Sequence, residues 1–369
     1  MYDRSSFKKT RRFRLSSTQR LPSLDGLRGV SILLVLVAHS TLASNFPHGL
    51  QFLAGLGDLG VLVFFVISGY LITTLLMREK AETGEISLRN FYMRRILRIF
   101  PVAYFYIGVV ALLSSLGLVQ LSQHDLAFAL TYLMNYHLNC APIFGHFWSL
   151  TVEEQFYLLW PTLVVVVGFR KSLTAAMAFL LVAQFGRIAT NWLFPARTAT
   201  AGLPRGWQAI VVGCILAMSW EWMRARKTLF ASSFFSILLL LVSTLHLYFV
   251  RIHSRSHVPW AVISLLIGLW VFRCVEAPDN IIGKILNSRL LSAIGVLSYS
   301  LYVWQEMFLI YSPGTKTVIP WNLMATLGVA LISYNLVERP FLRLKSRFAP
   351  SDPHTAKLKT IEATPGGVA

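Results

Sequence analysis

An arginine and a histidine stand eleven residues apart in the run LDGLRGVSILLVLVAHS, with almost only apolar residues between Arg28 and His39. In a helix, eleven steps of ~100° close to within ~20° of three turns, so both side chains share one face roughly 16 Å apart along the axis. A cation and a titratable imidazole on one stripe of a membrane helix are costly in hydrocarbon, which points to function. The competing structural reading is snorkelling of both groups into the headgroups at either end. The chemistry on offer is that of a general base: a neutral imidazole held in one tautomer can take a proton from a hydroxyl.

A second group is the run FYMRRILRIFP at 91–101. Arg94 and Arg98 are four apart and share a helix face, with Arg95 beside them. Guanidinium forks match phosphate oxygens bidentately, so three of them entering a membrane helix suit a phosphate-bearing ligand. Topology and lipid contact are the alternative use. The third group is HFWSLTVEEQFYLLWP at 146–161, where Glu153 and Tyr157 are i, i+4 and Glu154 and Gln155 adjoin them. A carboxylate placed with His39 towards the outer side would hold the imidazole tautomer. Neutralising a helix N-terminus accounts for one glutamate, and for two less well.

Gly57, Gly60, Ser68 and Gly69 read as small residues that let membrane helices approach closely. Ser68 as a nucleophile lacks an activating neighbour visible in the sequence. The late segments SYSLYVWQ (298–305) and SYNLVERPF (333–341) close the pattern, with Glu338 and Arg339 read as an ion-paired helix terminus. The histidines at 137, 146, 246, 253 and 257 lack metal-ligand spacing, and no Walker or dinucleotide glycine fingerprint occurs, so neither a metal site nor an energy-coupled pump is expected.

The elements that must position these groups are apolar helices. The 369 residues are 55% hydrophobic and 14% charged, with a mean hydropathy of +0.59, which excludes an ordinary soluble domain. The apolar runs predict an all-α, polytopic integral membrane protein of about ten spans, near 29–45, 58–77, 97–119, 148–167, 173–194, 206–222, 229–250, 258–273, 290–311 and 319–338. The weaker stretch 125–138 is read as a surface or re-entrant helix. With both termini cytoplasmic, 28 of the 34 lysines and arginines fall on inner segments or inner span ends, as the positive-inside rule requires. This bias accounts for most of the net charge of +18 through lipid and ligand contact, without nucleic acid. Residues 1–20 are expected to be a retained basic cytoplasmic tail, 21–345 the transmembrane domain, and 346–369 a disordered cytoplasmic tail. The three cysteines give no disulfide framework. No internal repeat is visible, which weakens an inverted-repeat transporter.

Taken in order, LDGLRG…H, GVLVFFVISGYLI, the arginine run ending in Pro101, SL-x-x-E-x-QFY and the SYSLY and ERPF segments resemble the membrane-bound acyltransferase 3 family over about residues 21–341. The resemblance implies transfer of an acyl group, often acetyl, from cytoplasmic coenzyme A thioesters to a sugar hydroxyl of a cell-surface or secreted glycan, lipid or antibiotic. It makes His39 the base and Arg28 the partner in its motif. Arg94, Arg95 and Arg98 become the inner arginine motif, and Glu153 the acid of SL-x-x-E. Acyl-CoA is then a co-substrate, with no tightly bound cofactor, and the partners are the carbohydrate acceptor and the bilayer. Direct transfer and an acyl-histidine intermediate both fit. Gln305 departs from the pattern, standing where many relatives carry histidine, and the hydrolase-like extension of some relatives is absent from the sequence. A transporter or flippase of an acylated or anionic substrate is the alternative function.

Overall fold

The computed structural model describes residues 22–137, 139–193, 202–226, 260–311 and 318–348, together with positions 237 and 241. The described residues are helical, with no strand. In chain order the helices are α1 (Pro22–Ser40), α2 (Leu56–Thr83), α3 (Leu88–Ser115), α4 (Gln123–Leu130), α5 (Phe147–Leu193), α6 (Gly202–Ala225), α7 (Trp260–Glu276), α8 (Ile281–Leu286), α9 (Arg289–Leu309), α10 (Trp321–Ser333) and α11 (Arg339–Lys345), with a π-helical turn at Tyr334–Glu338 between the last two. Four helical segments among the described residues are long and apolar enough to cross a membrane: Ser23–Ser40, His48–Thr83, Leu88–Ser115 and Pro142–Gly186. Large apolar side chains such as Val166, Val182 and Leu290 point outward, as a protein surrounded by hydrocarbon requires. The expected span 229–250 falls almost wholly, and the tails 1–20 and 349–369 wholly, outside the described residues.

The element boundaries follow local chemistry. Ser87 caps α3 by accepting from the Asn90 amide, Ser122 and Asp125 form a reciprocal capping box on α4, and Ser288 caps α9. Each satisfies amides that a helix start leaves orphaned. α2 ends on Gly84 at φ 81°, the left-handed stop that glycine supplies cheaply. The helix expected over 125–138 is only eight residues long and is followed by a turn, so it does not cross. α5 runs through the boundary expected near 168–172, and the break is a kink at Gly168, with φ 81° and ψ 161°.

Two crossings set the frame. α1 lies against α9 so closely that a Cβ on Gly29 would stand 2.4 Å from the Leu291 carbonyl oxygen, and one on Gly295 1.8 Å from that of Asp25. α2 crosses α6 in the same manner, with Gly69 facing Ile210 at 1.8 Å and Gly213 facing Val66 at 2.1 Å. Only a missing Cβ allows backbones to meet at these distances. α1 also packs on α2, and α11 folds back onto α3. The result places one face of α1, the middle of α2, the start of α3, the start of α5 and the middle of α9 around a common space.

Candidate active site

That space is a cavity of about 490 Å³. Arg28 enters it from α1, Ser68 from α2, Arg94, Arg95 and Arg98 from α3, Glu153 and Tyr157 from α5, and Tyr299 and Tyr302 from α9. Five of the six expected site residues therefore line one cavity, although they come from three separate helices. The α9 tyrosines fix its wall: Tyr299 donates to the Ile99 carbonyl at 2.6 Å, and Tyr302 shares a 2.6 Å hydrogen bond with Ser149.

The three α3 arginines differ in their surroundings. Arg94 donates to Glu79 at 2.7 Å and, through its other terminal nitrogen, to the Phe348 carbonyl at 2.7 Å. The second Glu79 oxygen accepts from the Ser87 amide at 2.9 Å, so Glu79 ties the end of α2 to the start of α3. Arg95 lies 4.5 Å from the centre of the Tyr157 ring and 5.8 Å from that of Phe91, a cation held on aromatic faces. Among the described residues, no carboxylate comes within ion-pair distance of Arg28, Arg95 or Arg98. Guanidinium groups that face a cavity without a paired carboxylate have donors left for an anionic ligand.

Glu153 accepts a hydrogen bond from Ser68, so the hydroxyl that looked isolated in the sequence has a carboxylate beside it. The same contact corrects the expected pairing of Glu153 with His39. His39 instead donates from Nδ1 to the side-chain oxygen of Gln305, 266 residues away on α9. The close α1–α9 crossing brings the two together. A ring that gives its Nδ1 proton to an amide carbonyl leaves the Nε2 lone pair free, which is the tautomer a base needs. Gln305, whose departure from the family pattern made its role doubtful, is thus the residue that orients the imidazole. It is fully buried, and its own amide nitrogen has no hydrogen-bond partner among the described residues.

Other expectations also change. Gln155 turns away from the cavity and pairs with Asn135 at 3.1 Å and with the Tyr132 carbonyl at 3.3 Å, anchoring the loop after α4. Glu338 accepts from Ser300 at 2.7 Å and is buried, so it holds α9 and does not pair with the exposed Arg339. His146 and His137 each have an acidic partner that sequence distance concealed: Glu306 at 2.9 Å and Asp125 at 2.9 Å. Asp125 lies outside the apolar spans. Burial pushes its carboxyl upward, but hydrogen bonds from the Ala141 amide, the Ser122 amide and hydroxyl, and His137 outweigh this and hold it below its ordinary value. Residues 346–348, expected to begin a disordered tail, form a 3-10 turn that receives Arg94. Lys345, which no motif in the sequence marks, also lines the cavity.

The acyltransferase-3 family model, described as an acyltransferase domain, matches residues 21–336. The chain is 28% identical over 361 residues to the Bacillus subtilis protein named "Putative peptidoglycan O-acetyltransferase YrhL", covering 87% of this chain and 54% of the relative. It is 28% identical over 370 residues to "O-acetyltransferase OatA" of Staphylococcus aureus, covering 92% of this chain and 59% of that protein. The chain thus spans little more than half the length of these curated relatives. No solved structure matches it. The lining segments from Arg28 on α1 to the tyrosines of α9 fall inside the matched region, Leu342, Lys345 and Ser346 lie beyond it, and the chain belongs to the acyltransferase-3 family.

Proposed function

We propose that the protein is an integral-membrane O-acyltransferase that moves an acyl group, acetyl in the first instance, from cytoplasmic acyl-CoA to a hydroxyl of a cell-surface or secreted carbohydrate. It works in the cell (inner) membrane through about ten spans with both termini cytoplasmic. The observation that carries this reading is the cavity in which, among the described residues, Arg28, Arg95 and Arg98 stand without paired carboxylates, with Arg28 on the same helix that presents His39 roughly three turns further along. The names of the relatives, one of them "Putative peptidoglycan O-acetyltransferase YrhL", support acetyl as the group and a glycan as the acceptor.

In this mechanism the arginines hold the phosphates of the donor at one end of α1, and the pantetheine arm runs along the helix towards His39. Nε2 of His39 takes the proton of the acceptor hydroxyl, and the oxygen attacks the thioester carbonyl. The carbon–sulfur bond breaks, and the thiol of coenzyme A leaves with the proton. Gln305 keeps the Nδ1 proton in place throughout, as an orienting partner that carries no charge. Glu153 offsets the positive charge of Arg28 and Arg95 and fixes the Ser68 hydroxyl.

The test is transfer of label from radiolabelled acetyl-CoA to a panel of glycans, peptidoglycan fragments included, by protein in nanodiscs. Transfer by the wild type that vanishes in a folded His39→Ala variant supports the reading. A wild type that does not bind acetyl-CoA or any longer acyl-CoA overturns it.

A further inference from the structure

The C-terminal helix presents two faces. Arg339 and Arg343 on α11, and Arg347 in the 3-10 turn after it, are all exposed, and these arginines suffice for charge at a membrane boundary. Lys345 points the other way. It is half-buried and lines the cavity beside Leu342 and Ser346. The turn that follows it is fastened to the α3 arginines, because Arg94 donates to the Phe348 carbonyl at 2.7 Å.

The charges around Lys345 do not balance. Of the cations lining the cavity, Arg78 has Glu82 at 2.6 Å and Arg94 has Glu79 at 2.7 Å. Arg28, Arg95, Arg98 and Lys345 share one remaining lining carboxylate, Glu153, which is itself hydrogen-bonded to Ser68. Asp25 and Glu338, behind the lining, also act on Arg28, and Glu338 acts on Arg98, but the groups that face this partly enclosed space are mainly three guanidiniums and a lysine, a lining that fits an anion of several charges. A nucleotide handle carrying several phosphates is such an anion.

We propose that Lys345 is a phosphate ligand of this cavity, binding the phosphates of the acyl donor together with Arg28, Arg95 and Arg98. This deepens the functional reading above and rests on it for the identity of the donor. A lysine differs from its arginine neighbours in that it can release its proton. Burial lowers the Lys345 ammonium to about 7, with Arg98, Arg95, Arg94 and Arg28 adding to the shift in that order. Glu79 and Glu82 of α2 and Glu153 of α5 are the carboxylates lining the same space. In the free protein at pH 8 Lys345 is therefore mostly neutral. A bound phosphate returns it towards the ordinary lysine range, so binding takes up close to one proton. Phosphate oxygens with a second pKa of about 6 are already ionised at this pH and take up none.

The experiment is calorimetric titration of acetyl-CoA into full-length protein in nanodiscs at pH 8, in two buffers of different ionisation enthalpy, for wild type, Lys345→Met and Lys345→Arg. S-acetylpantetheine and adenosine 3′,5′-bisphosphate serve as phosphate-free and thioester-free probes. The wild type should take up close to one proton per acetyl-CoA. Lys345→Met should take up none and bind roughly tenfold to a hundredfold more weakly, the loss of one charge-assisted hydrogen bond. Its binding of S-acetylpantetheine should equal that of wild type. Lys345→Arg should bind acetyl-CoA at near wild-type affinity without proton uptake, and this variant decides the question alone if Lys345→Met does not fold. Unchanged affinity and proton uptake in the variants overturns the proposal. A wild type that rejects acetyl-CoA, yet binds the bisphosphate with Lys345-dependent proton uptake, refutes the donor and keeps the lysine. Binding of neither removes both.

Discussion

Replacing Gln305 by Met tests the orientation of the base directly. Methionine keeps the unbranched shape of the buried side chain but removes the oxygen that accepts the Nδ1 proton of His39. Little stability is at stake, because Gln305 is fully buried with its amide nitrogen already unpartnered, and an apolar atom there relieves a desolvation cost. The catalytic loss has two parts. The lost hydrogen bond, worth about 0.5–1.5 kcal/mol, allows the other tautomer and costs roughly two- to tenfold. A ring free to swing from its productive position adds up to about tenfold more, within the hundredfold that a 1 Å misplacement brings. The expected fall in kcat is thus between roughly 2- and 100-fold, against the roughly 10²- to 10⁴-fold that loss of a general base in His39→Ala would bring. The KM for acetyl-CoA should stay constant, since Gln305 does not line the arginine cavity. Gln305→Glu, which keeps an acceptor, should retain more activity than Gln305→Met. Initial rates of label transfer measure all of this. A Gln305→Met protein within twofold of wild type, alongside an inactive His39→Ala, refutes the tautomer argument.

Arg94→Met strands the almost fully buried Glu79 and should cost about 3–5 kcal/mol. Adding Glu79→Gln should recover most of that, and thermal unfolding showing the two losses simply adding would contradict the pairing. Gly213→Ala places a Cβ 2.1 Å from the Val66 carbonyl oxygen, where ordinary contact begins at 3.4 Å, so α2 and α6 must part, at a cost of about 1–3 kcal/mol. Gly108→Ala in α3 meets nothing within 4 Å and should instead stabilise by about 0.5–1 kcal/mol; equal melting shifts for the two would exclude the crossing as the cause. Asp125→Asn should lower the melting temperature at pH 7, where the carboxylate is ionised and fully hydrogen-bonded. Because its folded value lies below the ordinary one, its contribution is present above the ordinary value and fades as pH falls through the folded one. The gap to wild type should therefore close below about pH 4, and a gap independent of pH would count against the ionised Asp125.

The sequence alone determined what periodicity, composition and local chemistry can carry. Apolar runs gave helices, and the spacing of Arg28 and His39 put both on one face of α1. The α3 arginines and Glu153 were legible for the same reason, since each belongs to a short motif whose residues meet within one helix. Tertiary structure alone decided the pairings. The Gln305 contact with His39 spans 266 residues, that of Glu306 with His146 spans 160, and that of Ser68 with Glu153 spans 85. Helical periodicity assigns each residue a face but not the face it meets. That choice was made by close glycine crossings, such as Gly29 on Gly295, which set the depth and register at which one helix slides against another. Lys345 was hidden for the same reason: in the sequence it is one more basic residue at a membrane boundary, and only the folding of α11 onto α3 turns it from its exposed arginine neighbours into the cavity.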